Sequence, residues 1–566
     1  MANNNQKQDF GVLYGQKTTE DALLIYSSYD DAQASPQLGD FIVLTPRDED
    51  GVKFLARVEA EIYDEDPIFR NQDKTLIAVH YARIAERELS ERDKQKMFSY
   101  TYKVKILGTF EGDGKNFTTA VRKLPVVSYH ARHLTPREIN NILNRTNESG
   151  AKIGYLCIGE TVQNESEILF DIKKLHKKRT MVFAQSGFGK TNLMKVLIYE
   201  SIKNKSFGKL IFDLNGEYFL RSLEAKTYGF GDIEDDMIKS DLVVYTDKQI
   251  PDFYKGKLEV AGKVKVNFAK DFTINDIFQT SIGITNAGKT FLEYLDSGQP
   301  NDVKDFLEKV LSSEDTSEIR RFAYTRFSSF FETTKKQAKE TGDKDIEKEV
   351  SQANKSMLGA VIRQIRSYAS INDNNSNLVE QVLKKLKENK TVIIDLSLKD
   401  SQDASLISTA LVRRLFSDNK QYFTSGNEND VINAVIVVEE AQNVLSDEFV
   451  RSNANPFVRV AKEGRKFGLG LVAITQRPSA ISEEIRSQAE NFFVLHMGNS
   501  KDIKALVESN INYEGVISKF IQSETIPGNL YMVSANQSFA LPVRVIEFEN
   551  LVENKVYKDL KIPKQV

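Results

Sequence analysis

Residues 180–199 constrain the fold of this chain more than any other stretch. Thr180-Met181-Val182-Phe183 is a short apolar run. Ala184-Gln185-Ser186-Gly187-Phe188-Gly189-Lys190-Thr191 is a glycine-bearing turn, and Asn192-Leu193-Met194-Lys195-Val196-Leu197-Ile198-Tyr199 has the spacing of an amphipathic helix. A buried strand that stops, backbone N–H groups that curl round an anion, and a helix N-terminus whose dipole favours negative charge together make a phosphate cradle. The turn departs from G-x-x-x-x-G-K-[ST] only at its first residue, where Ala184 is tolerable if its φ stays negative. A second stretch, Gly283-Ile284-Thr285-Asn286-Ala287-Gly288-Lys289-Thr290, fits the pattern letter for letter. It follows residues 273–279, which read as a capped helix, so no strand feeds it. Setting outweighs spelling, and the cradle is expected at 184–191. Lys190 is then placed for the β- and γ-phosphates and Thr191 for Mg²⁺. Gly187, Phe188, Gly189 and Asn192 complete a loop for ATP.

At 566 residues the chain is too long for one core. Its 40% hydrophobic and 28% charged content is that of a soluble protein. No apolar run reaches the roughly 18 residues of a membrane span, and the first six residues lack an apolar signal core. The single cysteine, Cys157, excludes an intrachain disulfide and suits the cytoplasm. His130 and His133 stand three apart with no third metal ligand nearby. A net charge of −3 is silent on nucleic acid, because a ring can converge a few lysines per subunit on one axis.

Hydrophobic patterning predicts an α/β protein. Residues 22–26, 39–44, 53–58 and 100–107 read as short strands of a small N-terminal β-barrel domain (1–150), with the charged stretch 82–89 as a helix or loop. A P-loop domain follows in two parts, 151–269 and 389–550. Its buried strands are expected at 180–183, 209–213, 391–396, 434–438, 470–475 and 491–496, in a mostly parallel sheet covered on both faces. Residues 270–388 read as an α-helical insertion with Phe322, Phe327, Phe330 and Phe331 in its core and 335–345 as a solvated end. A hairpin over 529–533 and 543–548 precedes a tail, 551–566.

The loop has partners downstream. In Val435-Ile436-Val437-Val438-Glu439-Glu440-Ala441-Gln442, Glu439 at the strand end is expected to hold Mg²⁺ and Glu440 to polarise the attacking water. Gln476, in Thr475-Gln476-Arg477-Pro478, is placed to sense the γ-phosphate. Arg459, Arg465, Lys466 and Arg477 supply positive charge; Gly464-Arg465-Lys466-Phe467-Gly468 offers Arg465 on a loop able to reach a neighbouring subunit's nucleotide. Asp213, in Phe212-Asp213-Leu214-Asn215-Gly216-Glu217-Tyr218, either biases the metal and its water or caps a helix after the strand.

In their order and spacing these pieces resemble the HerA-type ATPases of the HerA/FtsK superfamily. Gly154-Tyr155-Leu156-Cys157-Ile158-Gly159 and Lys178-Arg179 add to the likeness. It covers about 150–240 and 390–550 well and the N-terminal region loosely. It implies a RecA-like P-loop domain, a homo-hexameric ring, hydrolysis of ATP between subunits and movement of double-stranded DNA. Arg465 would be the trans-acting finger, Gln476 the sensor and Arg179 a second nucleotide contact. Two residues depart from the family: Ala184 stands for glycine, and Glu439-Glu440-Ala441-Gln442 stands where Asp-Glu-Ala-His is usual. Such proteins also imply a separate nuclease, or an antiphage effector such as a sirtuin-like NAD-consuming enzyme, docking on the N-terminal barrel. Two further readings stay open: an ATP-binding scaffold that assembles the effector with little DNA pumping, and a ring that threads polypeptide.

Overall fold

The computed structural model describes residues 9–16, 22–28, 36–47, 51–65, 98–147, 150–158, 161–221, 227–254, 259–274, 276, 286–339, 344–452 and 455–552. Six N-terminal strands, β1 (Asp9–Gln16), β2 (Ala22–Ser28), β3 (Phe41–Thr45), β4 (Lys53–Glu65), β5 (Phe98–Phe110) and β6 (His130–His133), pair antiparallel in the order β1-β2-β5-β4-β3-β6. β6 bonds to both β1 and β3, so this sheet closes on itself. Ile42, Leu44, Phe54, Ala56, Val58 and Val104 fill its inside, while Phe41, Val43 and Leu55 on the opposite face enter a core shared with the larger sheet. β3 is therefore apolar from Phe41 to Leu44, because both its faces are buried. The expected strands fall on β2 to β5, and 82–89 lies outside the described residues.

Helix Pro136–Leu143 follows, opened by a capping box of Thr135 and Glu138. Glu138 also receives both guanidinium ends of Arg132, at 2.8 and 2.9 Å, with side-chain exposures of 3% and 1%. Burial pushes the Glu138 carboxyl up, but the hydrogen bonds from Arg132 and Thr135 outweigh it and hold it below its ordinary value. Its stabilisation is thus present above the usual glutamate range and lost as pH falls through the lowered value. Glu138→Ala strands the Arg132 charge and should destabilise this region by about 3–5 kcal/mol. Urea denaturation checks this, and an unchanged midpoint refutes it.

The second sheet has twelve strands: β7 (Ala151–Ile158), β8 (Thr161–Phe170), β9 (Arg179–Phe183), β10 (Gly208–Asp213), β11 (Leu242–Tyr245), β12 (Glu259–Gly262), β13 (Thr391–Asp395), β14 (Ala434–Val438), β15 (Leu469–Thr475), β16 (Asn491–Val494), β17 (Asn529–Val533) and β18 (Leu541–Val545). Their order is β12-β11-β13-β10-β14-β15-β9-β16-β17-β18-β7-β8. Pairing is parallel from β12 to β16 and antiparallel from β16 to β8. The fold is α/β with a mostly parallel sheet. Its strands are apolar runs because alternate residues serve two cores. Met181, Phe183, Leu210 and Phe212 join one, and Val182, Ile211, Val437 and Ile474 join the other.

Between β12 and β13 run helices Asn286–Asp296, Pro300–Ser312, Thr316–Arg326, Ser328–Lys339 and Lys344–Ser367. Phe327 and Phe331 are buried there, and Phe322 and Phe330 pack half-buried against the same cluster. The expected insertion overruns at its end: helix Leu378–Lys387 lays Val379, Val382 and Leu386 on the sheet's own core. Part of 335–345 is helix, and 340–343 lie outside the described residues. The C-terminal strand also ends early, at Val545, and Phe548–Val552 turn helical. Among the described residues no helix is long and apolar enough to cross a membrane.

Candidate nucleotide site

β9 ends at Phe183 between β15 and β16, and the next two N–H groups hold the chain to those neighbours: Ala184 to the Thr475 carbonyl and Gln185 to the His496 carbonyl, at 3.2 and 2.9 Å. Ala184 is fully buried in the core and is not among the residues of positive φ, so it performs the first position of the loop without strain. Gly187 and Gly189 do need to be glycine, with φ of 84° and 92°. Helix Lys190–Lys203 starts at once, with no side-chain cap on its first turn. Its leading N–H groups and dipole are open to an anion, as the sequence setting required. The Phe188 ring rests on His496, with ring centroids 4.2 Å apart, so this residue anchors the loop.

The ends of β10 and β14 bring the acids, and that of β15 brings Gln476. Glu439, 3% exposed, accepts from the Tyr218 hydroxyl at 3.0 Å and from Asn215 Nδ2 at 3.4 Å. Burial, followed by the nearby Asp213 charge, pushes its carboxyl up to about 7. Glu440 reaches toward the loop, 3.8 Å from Lys190 Nζ, and Gln476 Nε2 donates to it at 3.4 Å. The fold therefore gathers Lys190, Thr191, Glu439, Glu440 and Gln476 at one end of the sheet.

Two residues outside the sequence reading join them. Glu217 accepts from the Thr191 hydroxyl at 2.7 Å, so the acid nearest that hydroxyl comes from the turn after β10. Asp213, by contrast, spends its carboxylate on the N–H groups of Gly216, Glu217 and Tyr218, at 2.7, 3.1 and 3.1 Å. No helix starts here, so where helix capping was one of its two expected roles it closes a turn instead. Burial raises its carboxyl to about 6, against the lowering by these hydrogen bonds. Gln442 is the other addition, donating to Glu440 at 2.7 Å. Gly216, ahead of Glu217, was the signal for a turn that swings an acid back to the loop. Glu217, Glu439 and Thr191 present hard oxygen donors, and burial with the nearby Asp213 and Glu217 charges raises the cost of leaving Glu439 ionised; both traits fit Mg²⁺.

Three expected contacts sit elsewhere. The Asn192 amide is used up by the C-terminal segment, donating to the Ile546 carbonyl and accepting from Phe548 N–H, at 3.0 and 2.8 Å, so its side chain turns from the loop. Arg179 starts β9, and four residue steps of strand put it roughly 13 Å from the loop. It bonds there to Glu490, Gln488 and the Ala461 carbonyl, away from the site of its own chain. Arg465 precedes β15 at that same end and is exposed. The stretch 283–290 is a different object: Lys289 and Thr290 lie inside helix Asn286–Asp296, both exposed, and 283–285 fall outside the described residues.

Comparison with known families agrees with this geometry. The model of the central domain of the helicase HerA matches residues 156–415, and that of the zonular occludens toxin matches 363–503. The DNA double-strand break repair helicase HerA of Saccharolobus solfataricus is 23% identical over 513 residues, which cover 91% of this chain and 87% of that protein. The protein of the same name from Sulfurisphaera tokodaii is 24% identical over 419 residues, or 73% of this chain and 72% of its own length. Among solved structures, the bacterial conjugative coupling protein TrwB aligns with 71% of this chain and 91% of its own, at 12% identity and a TM-score of 0.42. The strand–loop–helix cradle, the Glu439-Glu440 strand end and the run of matched residues agree in supporting a HerA/FtsK-type ATPase.

Proposed function

We propose that this chain is a ring-forming motor, a homo-hexamer, that hydrolyses ATP between subunits and moves along double-stranded DNA. The observation that carries it is the division of the site between the two ends of the sheet. Lys190, Thr191, Glu217, Glu439, Glu440 and Gln476 lie at the ends of their strands or just beyond, whereas Arg179 and Arg465 leave from the opposite end. A neighbouring subunit is the natural source of those arginines, as in rings built by head-to-tail contacts. The relatives named as DNA double-strand break repair helicases supply the cargo in this reading.

The loop's N–H groups and helix N-terminus hold the phosphates, and Lys190 swings from Glu440 to the β- and γ-phosphates. Thr191, Glu217 and Glu439 would hold Mg²⁺, which would supply charge stabilisation for the phosphate oxygens. Glu440 takes a proton from the attacking water, and Gln476 orients that water and the γ-phosphate. Arg465 of the neighbour, with Arg179 beside it, offsets the charge that grows on the transferred group. The N-terminal closed sheet and the helical insertion are separate domains in this scheme. The former is the docking face for a nuclease or effector protein.

Linear duplex should raise ATP turnover several-fold, measured as phosphate release with and without DNA. Turnover indifferent to any duplex would sink the motor. Glu217→Ala should lower kcat roughly 10–10²-fold and raise the Mg²⁺ concentration needed for half-maximal rate. A Mg²⁺ titration unchanged from the parent would remove Glu217 from the site.

A further inference from the structure

Glu440 is held in a way the hydrolytic scheme does not by itself require. Its φ of 47° lies in the left-handed region, which a glutamate adopts only where its surroundings hold it. The chain is pinned on either side: Ala441 N–H donates to the Ile474 carbonyl and Asn443 N–H to the Glu440 carbonyl, each at 2.9 Å. The carboxylate is held through Gln442. Thr475, fully buried at the end of β15, donates its hydroxyl to Gln442 Oε1 at 2.6 Å and accepts from Arg477 N–H at 2.9 Å. With its carbonyl oxygen engaged by the hydroxyl, the Gln442 amide must turn its NH₂ to Glu440 Oε2, at 2.7 Å. The reverse orientation would face a carbonyl to a carboxylate and take from the Thr475 hydroxyl the acceptor for its hydrogen.

The other oxygen, Oε1, faces Gln476 Nε2 at 3.4 Å and Lys190 Nζ at 3.8 Å. Both of those groups have work on the γ-phosphate. Once they turn to it, Gln442 is the remaining side-chain donor to Glu440 among the described residues. We infer that Gln442 is a positioning residue: it ties the Glu440 carboxylate to Thr475, and so fixes the direction from which Glu440 meets the attacking water. The chain Arg477 N–H, Thr475 hydroxyl, Gln442 amide, Glu440 carboxylate also joins the tip of β15, which carries the sensor Gln476, to the acid after β14. A shift of that tip on sensing phosphate is passed to the acid through two short hydrogen bonds. The inference rests on Glu440 as the proton acceptor.

Steady-state ATP hydrolysis by the full chain tests it. Gln442→Ala should lower kcat roughly 10–10²-fold with KM for ATP unchanged within about twofold, because the lost contact acts on turnover and touches no nucleotide. Gln442→His, whose ring can also donate to a carboxylate and accept from a hydroxyl, should recover most of the rate. Thr475→Val should slow turnover too, and the Gln442→Ala/Thr475→Val double variant should be no slower than Gln442→Ala, since the two act as one unit. Unchanged kcat in Gln442→Ala, a change confined to KM, or additive losses in the double variant would each overturn the positioning role. Glu440→Gln separates the two levels. If it turns over ATP normally, the reading of Glu440 itself fails. If it is inactive while Gln442→Ala is fully active, only the inference about Gln442 fails.

Discussion

Lys190→Ala will lose ATP hydrolysis by about 10²–10³-fold or more and bind nucleotide far more weakly, while Lys289→Ala will match the parent protein. The contrast is large because the two lysines share a motif and nothing else. Lys190 is the first residue of the helix that leaves β9, 14% exposed, with its ammonium 3.8 Å from the acid expected to activate water. Lys289 lies inside helix Asn286–Asp296, exposed on its surface. Turnover is read as phosphate release and binding with a fluorescent nucleotide. Loss of either in Lys289→Ala, with Lys190→Ala intact, would overturn the assignment of the site.

Arg465→Ala should abolish turnover nearly as completely, by about 10³-fold, yet leave nucleotide binding in place. Arg465 leaves from the end of the sheet opposite the loop of its own chain, so in the proposed ring its loss would remove charge stabilisation from a neighbour's site. That geometry makes the defect complementable. In a one-to-one mixture of Arg465→Ala and Lys190→Ala subunits, an Arg465→Ala loop facing a Lys190→Ala neighbour has every catalytic group. Random assembly places such a pair at about a quarter of the interfaces, so activity should return although each variant alone is inactive. No recovery from subunits shown to co-assemble would return Arg465 to a structural role.

The sequence disclosed the centre of this fold better than its rims. β9, β10, β13, β14 and β15 carry apolar runs at their centres because both faces are buried, and such runs are legible without any partner in view. β11, β12 and β6 are four residues each, too short for a period to emerge. Helix Leu378–Lys387 has the composition of the helices before it, and only packing assigns it to the sheet. In the site, Glu439, Glu440 and Gln476 could be placed because they directly follow strands, and Lys190 and Thr191 because a strand and a glycine-bearing loop lead into their helix. Glu217 could not be told from Asp213 until Asp213 was seen bonded to the turn's own N–H groups. Asn192 failed for the opposite reason: its position in the motif is right, but the partners of its amide lie more than 350 residues away.

Those distant partners bear on when the protein becomes competent. Gly528 N–H bonds to the Phe188 carbonyl at 3.1 Å, and Gly189 fits so closely that a Cβ there would come within 3.1 Å of Gly528 N. The Asn192 amide meanwhile clasps Ile546 and Phe548. Synthesis runs from the N-terminus, so the cradle is made well before Gly528, Ile546 and Phe548, which later brace it. The nascent loop therefore lacks that support until those residues have been made and folded back.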